Sequence, residues 1–331
     1  MEIHSVGELI AGIDAGDRLS LSKGITLIES QQPGQQAARI QLIEWALQQK
    51  NQSFRVAVTG VPGAGKSTLI DLLGSLWIQE GHKVAVLAVD PSSSVSNGSI
   101  LGDKTRMVHL AKEQNAFVRP SPTRLQLGGT AATTFETILL CEAAGYDRII
   151  VETVGVGQSE TVASQLTDCC VLVLVSGTGD ELQGVKKGIL ETADIVWVNK
   201  ADGDNELKAK SFARELKSIS VLWAVRQTGE TAQIEAGSSL DSDRIQPLAT
   251  LIQDFKEKTT DQGYFENIRQ AQVMQWMRQF LVQSIEKELF EDRSFITQIQ
   301  TASDQVLHQN QSLEEAFRDL KRHLLDMLNK G

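Results

Sequence analysis

The segment Gly60-Val61-Pro62-Gly63-Ala64-Gly65-Lys66-Ser67-Thr68 reads GxxxxGK[ST], and no other stretch constrains the fold of this chain as strongly. Such a loop cradles phosphate only where a strand runs in and a helix runs out. Both are predicted: a β-rich run from Arg55 to Thr59 precedes it, and a helix from Ser67 to Gln79 follows, stopped near Gly81. Glycines at 60, 63 and 65 permit the backbone angles that turn successive N–H groups inward around phosphate oxygens. The start of the following helix adds a favourable partial charge. Lys66 is then placed to bridge β- and γ-phosphates, and the Ser67 hydroxyl to ligate Mg²⁺. A nucleoside triphosphate site is the expectation.

The rest of the chain supplies the layers that such a unit needs. Val56-Ala57-Val58, Val84 to Val89, Ile149-Ile150-Val151, Val171 to Val175 and Ile195-Val196-Trp197-Val198 are apolar at every position. That texture belongs to parallel strands covered on both faces. Helix-length segments separate them, as right-handed βαβ units require. Before Arg55 the chain reads as helices, with a capping-box spacing at Ser5-Val6-Gly7-Glu8 and an Ile40, Ile43, Leu47 stripe. Beyond Gly263 no strand signal remains. Met274, Met277, Leu281, Ile285 and Leu289 form one stripe. After a second capping-box spacing at Ser312 to Glu315, Phe317, Leu320, Leu324 and Leu328 form another. The predicted organisation is a helical N-terminal extension over 1–52, a nucleotide-binding α/β domain over 53–262 and a helical C-terminal arm over 263–331. The arm's two stripes offer more apolar surface than it can hide alone, so a homodimer is expected.

Composition narrows the partners. Thirty-two Lys plus Arg against 42 Asp plus Glu give a net charge of −10, which argues against nucleic acid. The cysteines Cys141, Cys169 and Cys170 lack zinc-ligand spacing and cannot frame a disulfide scaffold. Met1 to Ile13 lacks the apolar stretch of a signal peptide, and the apolar run Cys169 to Val175 is far too short for a membrane span. A cytoplasmic chain with no membrane or nucleic-acid partner is expected.

Two further motifs refine the site. In Ile149-Ile150-Val151-Glu152-Thr153-Val154-Gly155, a carboxylate ends a buried strand. A P-loop enzyme keeps its Mg²⁺-water ligand at that place, and Gly155 can give its N–H to the γ-phosphate. Glu152 is one methylene longer than the Asp usual there, so it should reach the metal through water. In Asn199-Lys200-Ala201-Asp202, at the end of another buried run, the Asp202 carboxylate can accept from guanine N1–H and N2–H₂ together. Adenine offers no such donor pair. Lys200 can lie over the ring, and Asn199 can brace the loop or contact N7. GTP is expected over ATP.

Taken together, Val89-Asp90-Pro91-Ser92-Ser93, Gly98 to Met107, Cys141 to Asp147, Glu152 to Glu160 and Asp180 to Gly188 resemble the methylmalonyl-CoA mutase-associated GTPases (MeaB/ArgK type). The resemblance covers nearly the whole chain. It implies an α/β fold: a doubly wound, mostly parallel P-loop GTPase sheet with a helical N-terminal extension and a helical C-terminal dimerisation arm. It implies GTP/GDP and Mg²⁺ as ligands, and a cobalamin-dependent acyl-CoA mutase whose adenosylcobalamin loading, protection or reactivation is gated by GTP hydrolysis. Older labelling of such proteins as transport-linked kinases is a competing description. Carried over, Asp90 and Asp103 match acidic positions near the nucleotide and Mg²⁺. Glu152 to Glu160 match a mobile loop, and Asp180 to Lys187 match another, in which Asp180 and Lys186 couple partner to nucleotide. The base-contacting Ser-Ala-Leu triplet falls on Ser238-Ser239-Leu240. The candidate catalytic set is therefore Lys66, Asp103, Glu152, Gly155 and Lys186, and the candidate metal set Ser67, Asp90, Asp103 and Glu152.

Departures from the family are the second Ser of that triplet, Leu125 where a Gly is usual, and a poor match over Asn205 to Glu235. Val156 follows Gly155, where GTPases that position water with glutamine carry that residue, so a slow intrinsic rate is expected. Two alternatives stand beside this reading. One is a small-molecule or protein kinase on the same P-loop, which would need a base beside the γ-phosphate. The other is a nickel or cobalt metallochaperone GTPase, which the scattered His4, His82, His109, His308 and His323 do not favour.

Overall fold

Every strand pairing is parallel in the seven-stranded sheet, whose order is β3-β2-β4-β1-β5-β6-β7. The strands are β1 Phe54–Gly60, β2 Val84–Val89, β3 Ala116–Arg119, β4 Arg148–Thr153, β5 Cys169–Val175, β6 Ile195–Asn199 and β7 Gln233–Ala236. The computed structural model describes residues 5–30, 32–49, 52–89, 107–119, 130–153, 159–176, 187–221, 223 and 231–328. Strands β1, β2, β4 and β6 are buried along their whole length, and β5 is buried to its last residue but one. Helices lie on both faces, which is why the middles of these strands can be apolar at successive positions.

The two edge strands, β3 and β7, carry no such signature. Half of β3 is only partly buried, and in β7 Ile234 alone is fully buried. Neither run stands out in the sequence because an edge strand is not covered like a central one. The poorly matching stretch after Asn205 resolves into the helix Glu206–Ser220 and β7.

Chain direction around β1 fixes where a ligand can sit. The chain leaves β1 toward β2 on one side and leaves β5 toward β6 on the other, so the order of connection reverses beside β1. In open α/β sheets, the crevice at the carboxyl ends of the strands at such a reversal is the ligand site. The register puts Gly60 opposite Val173, Val58 opposite Glu152 and Val175 opposite Asn199. The three sequence motifs therefore end their strands at one end of the sheet.

On one face Leu69, Ile70, Leu73 and Trp77 of the helix Lys66–Gln79 pack with Ile245, Leu248, Ile252 and Phe255 of the helix Ser242–Asp261 against β1 and its neighbours. The N-terminal helices Val6–Asp14, Arg18–Glu29 and Gln36–Gln48 bury Leu9, Ile13, Leu21, Ile25 and Leu42. Ser5 caps the first of them by accepting from the Glu8 N–H. Their link to the helix Thr130–Ala143 includes a two-pronged ion pair, Arg39 Nη2 to Glu136 Oε1 at 2.8 Å and Oε2 at 2.6 Å.

The opposite end of the sheet is closed by charge. Arg55 of β1 donates through Nε to Glu142 Oε1 at 3.0 Å and through Nη2 to Glu142 Oε2 at 2.8 Å. Asp168 Oδ2 accepts from the Arg55 backbone N–H and from Arg269 Nη2, each at 2.7 Å. Gln272 joins the cluster through Arg55 Nη1 at 2.9 Å. Arg269 and Gln272 sit in the first part of the long helix Tyr264–Glu291. The chain divides into two compact units, Met1–Gln272 and Val273–Gly331, and both residues belong to the first.

Burial pushes the Asp168 carboxyl up to about 7, against the pull of the Arg55 guanidinium and backbone N–H. Its Oδ1 is buried with no hydrogen-bond partner and can carry the proton. The folded state therefore binds more protons than the unfolded one between the ordinary Asp value and about 7. This contribution is fully present below that window and lost as pH rises through it. The melting temperature should fall between pH 5.5 and pH 8 by at least about 3 °C, and by less in Asp168→Asn. Equal pH dependence in the two proteins, read by calorimetry, would contradict this.

The second unit contains the helices Arg293–Leu307 and Leu313–Leu328. Asp292 caps the former by accepting from Ser294 and Phe295 N–H. Ser312 and Glu315 form the reciprocal box ahead of the latter, with Ser312 N–H donating to Glu315 Oε2 and Glu315 N–H to Ser312 Oγ. Phe295 is buried and its ring stacks on His323 at 6.2 Å, whereas Met274 is 73% and Phe317 71% exposed. Among the described residues no helix is long and apolar enough to cross a membrane.

Candidate nucleotide site

The P-loop is built where β1 ends. Gly60 has φ +143° and lies so close to β5 that a Cβ would meet the Val173 carbonyl oxygen at 2.1 Å. Gly65 has φ +89°, and a Cβ there would meet Asn199 Nδ2 at 2.7 Å. Any L side chain at either place would push the loop off its neighbours, which is the physical reason for glycine. Ala64 is buried beneath the loop, and the helix Lys66–Gln79 starts directly after Gly65. Val61, Pro62 and Gly63 form the outer turn, closed by the Ala64 N–H donating to the Val61 carbonyl at 3.2 Å.

Lys66 is largely buried, and its Nζ donates to the Gly60 carbonyl at 2.8 Å and the Val61 carbonyl at 3.2 Å. The ammonium is thus folded across the mouth of its own loop. Ser67 Oγ donates to Glu152 Oε1 at 3.0 Å, so the hydroxyl and the carboxylate of two separate motifs meet. Beside them Thr153 Oγ1 of β4 donates to Thr59 Oγ1 of β1 at 2.9 Å, a buried contact with no local sequence signal. Thr68 lies in the first turn of the helix, next to Ser67.

The Asn-Lys-x-Asp loop leaves β6 beside this. Asn199 is almost fully buried, and its Nδ2 donates to the Ala64 carbonyl at 2.8 Å. Of the two roles open to it, bracing the P-loop is the one the geometry takes. Lys200 adopts φ +56°, unusual for a side-chain-bearing residue, with its carbonyl held by Asn205 Nδ2 at 2.9 Å. That turn carries the chain from Asn199 to Asp202, whose Oδ2 accepts from Ser238 Oγ at 2.5 Å. Ser239 Oγ donates to Asn199 Oδ1 at 2.7 Å, and the Leu240 N–H donates to Ser238 Oγ at 3.2 Å. Backbone bonds from Ala201 N–H to the Gly237 carbonyl at 2.9 Å and from Gly237 N–H to the Val198 carbonyl at 3.0 Å stitch the two loops together. Arg244, which no motif signals, adds a bond to the Ala201 carbonyl at 3.2 Å.

Lys66, Ser67, Glu152, Asn199, Asp202, Ser238 and Ser239 are therefore brought together at one end of the sheet. Asp90, Asp103, Gly155 and Lys186, with Val156 and Asp180, lie outside the described residues. The donor chemistry suits Mg²⁺ with its phosphates: Ser67 and Glu152 offer two adjacent hard oxygens, and Mg²⁺ takes few protein ligands and keeps most of its water.

A parallel sheet with a GxxxxGKST loop at its reversal point and Asn-Lys-x-Asp on a neighbouring strand end is the fold of a P-loop GTPase. Within that class the chain belongs to the family described as methylmalonyl-CoA mutase-associated GTPase MeaB, which residues 21–294 match. It is 43% identical over 293 residues to the GTPase ArgK of Escherichia coli (strain K12), covering 88% of each chain. It is 39% identical over 296 residues to the mitochondrial methylmalonic aciduria type A homolog of Mus musculus, covering 86% of this chain and 71% of that one. A crystal structure of a LAO/AO transport system kinase superposes with a TM-score of 0.74 at 33% identity, covering 98% of this chain and all of that one.

Proposed function

We propose that this chain binds GTP with Mg²⁺, hydrolyses it slowly, and uses the cycle as a chaperone to gate cobalamin loading, protection or reactivation on an acyl-CoA mutase. The observation that carries the nucleotide reading is the bonded path Ser238–Asp202 beside Ser239–Asn199–Ala64, which joins a guanine-reading loop to a phosphate-cradling one. The mutase reading rests on the family and on its likeness to a methylmalonic aciduria type A homolog.

In this reading the backbone N–H groups of the loop from Gly60 to Thr68, Pro62 excepted, would hold the phosphates, and Lys66 would turn from the loop carbonyls to the β- and γ-phosphates. Ser67 and Glu152 would hold the metal, Ser67 directly and Glu152 through water. Mg²⁺, when bound, neutralises charge that develops on the phosphates. Asp202 reads the guanine edge, Lys200 covers the ring, and Ser238 and Leu240 shape the base pocket. Asp90 and Asp103 complete the metal surroundings, Gly155 meets the γ-phosphate, and Lys186 couples the mutase to hydrolysis. A cytoplasmic setting goes with these roles.

The test is a pull-down with the tagged chain from its own cell extract, eluates being read for cobalamin absorbance and for an acyl-CoA mutase. A mutase retained in a guanine-nucleotide-dependent way is expected. Eluates free of any cobalamin protein under GTP, GDP and nucleotide-free conditions would contradict the assignment.

The same reading gives the C-terminal arm a self-association role. Met274, Met277 and Leu281 are each at least 60% exposed on one helix, and Leu313 and Phe317 are exposed on another. Met277→Glu with Leu281→Glu should turn a dimer into a monomer in light scattering, with little change in melting temperature. An unchanged mass, or a parent that is already monomeric, would remove the dimer from the account.

A further inference from the structure

Ser239 lies in the loop that follows β7, and its hydroxyl points at the acceptor end of Asn199. The distances are 2.7 Å from Ser239 Oγ to Asn199 Oδ1 and 2.8 Å from Asn199 Nδ2 to the Ala64 carbonyl. Both serine and asparagine are buried, at 7% and 1% exposure. A carboxamide has one end that accepts and one that donates. Turned the other way round, the Asn199 oxygen would face the Ala64 carbonyl oxygen, two acceptors with no hydrogen between them. The Ala64 carbonyl therefore fixes the orientation, and the Ser239 hydroxyl satisfies the acceptor at the other end of the amide, which burial would otherwise leave unpaired.

We propose that Ser239 is a positioning residue that locks the P-loop to the guanine loop and so sets how slowly guanine nucleotide leaves. The proposal rests on the site being the guanine nucleotide site, and it concerns release, not base choice. Base choice belongs to Asp202, which is held separately by Ser238. With the lock, the phosphate cradle and the base-reading loop move as one body, and a nucleotide leaves only when both let go. Without the Ser239 hydroxyl, Asn199 still reaches the Ala64 carbonyl, but its acceptor end is left unpaired and the tie between the two loops opens more readily.

The experiment measures dissociation of a fluorescent N-methylanthraniloyl GDP, chased with unlabelled GDP, from the full-length chain. It compares the parent, Ser239→Ala, Asn199→Ala and the double variant. Ser239→Ala removes only the hydroxyl, and circular dichroism verifies that the variant is folded. Release should quicken by about tenfold in Ser239→Ala, the factor a single buried hydrogen bond is worth. Added to Asn199→Ala the same substitution should do nothing, because its partner is gone. Preference for GTP over xanthosine triphosphate should stay with the parent in Ser239→Ala. Unchanged release in Ser239→Ala, or the same factor in both backgrounds, would overturn the lock while leaving the nucleotide site standing. A parent that binds no labelled GDP would instead overturn the site, and the lock with it.

Discussion

Asp202→Asn should turn the site from guanine to xanthine. A carboxylate at this place accepts from N1–H and N2–H₂ of guanine, and hydrogen bonds to a charged group are worth about 1.5–3 kcal/mol each. Ser238 makes the outcome of the amide swap specific. Its Oγ donates to Asp202 Oδ2 at 2.5 Å, so the Asn oxygen would take that bond and the NH₂ would turn to the base. A donor then faces two guanine donors, whereas xanthine presents a carbonyl at C2 that can accept from it. Loss of GTP affinity should be on the order of 10² or more, with xanthosine triphosphate gaining. Competition titrations measure both. GTP bound as tightly as by the parent would show that residues 199 to 202 do not read the base.

The parts of this site that were legible in the sequence are those whose chemistry is local. Gly60, Gly63, Gly65, Lys66 and Ser67 lie within one turn, and all three glycines do have positive φ. The places of Glu152, one residue before the end of β4, and of Asn199, at the end of β6, follow from apolar runs that burial on both faces demands. Ser238 and Ser239, by contrast, bond to partners 36 and 40 residues earlier, so only the folded sheet brings them there. A family triplet pointed to them, whereas spacing alone could not. The buried cluster of Arg55, Glu142, Asp168 and Arg269 was invisible for the same reason, its pairs being 87 to 127 residues apart. Strands β3 and β7 were missed because both are short edge strands: β3 has only Ala116-Phe117-Val118 before Arg119, and β7 alternates polar and apolar residues over four positions. Asn199 resolved a choice the sequence left open: its amide goes to Ala64.

The largest effect expected on rate comes from the partner. Lys66 can stabilise charge developing on the phosphates, but Val156 offers no polar group to aim the attacking water. Supplying a missing charge-stabilising or water-orienting group is worth on the order of 10³ to 10⁵ in GTPases. A mutase that acts through Lys186 should therefore raise the rate at least about tenfold. Lys186→Ala should remove most of that gain and leave GTP affinity close to the parent's, since the residue is assigned to coupling and not to holding nucleotide. The decisive measurement is single-turnover GTP hydrolysis with and without a saturating cobalamin-dependent acyl-CoA mutase. A slow basal rate, accelerated at least about tenfold by the mutase and hardly at all in Lys186→Ala, is the predicted result; a fast basal rate that the mutase leaves unchanged would contradict the account.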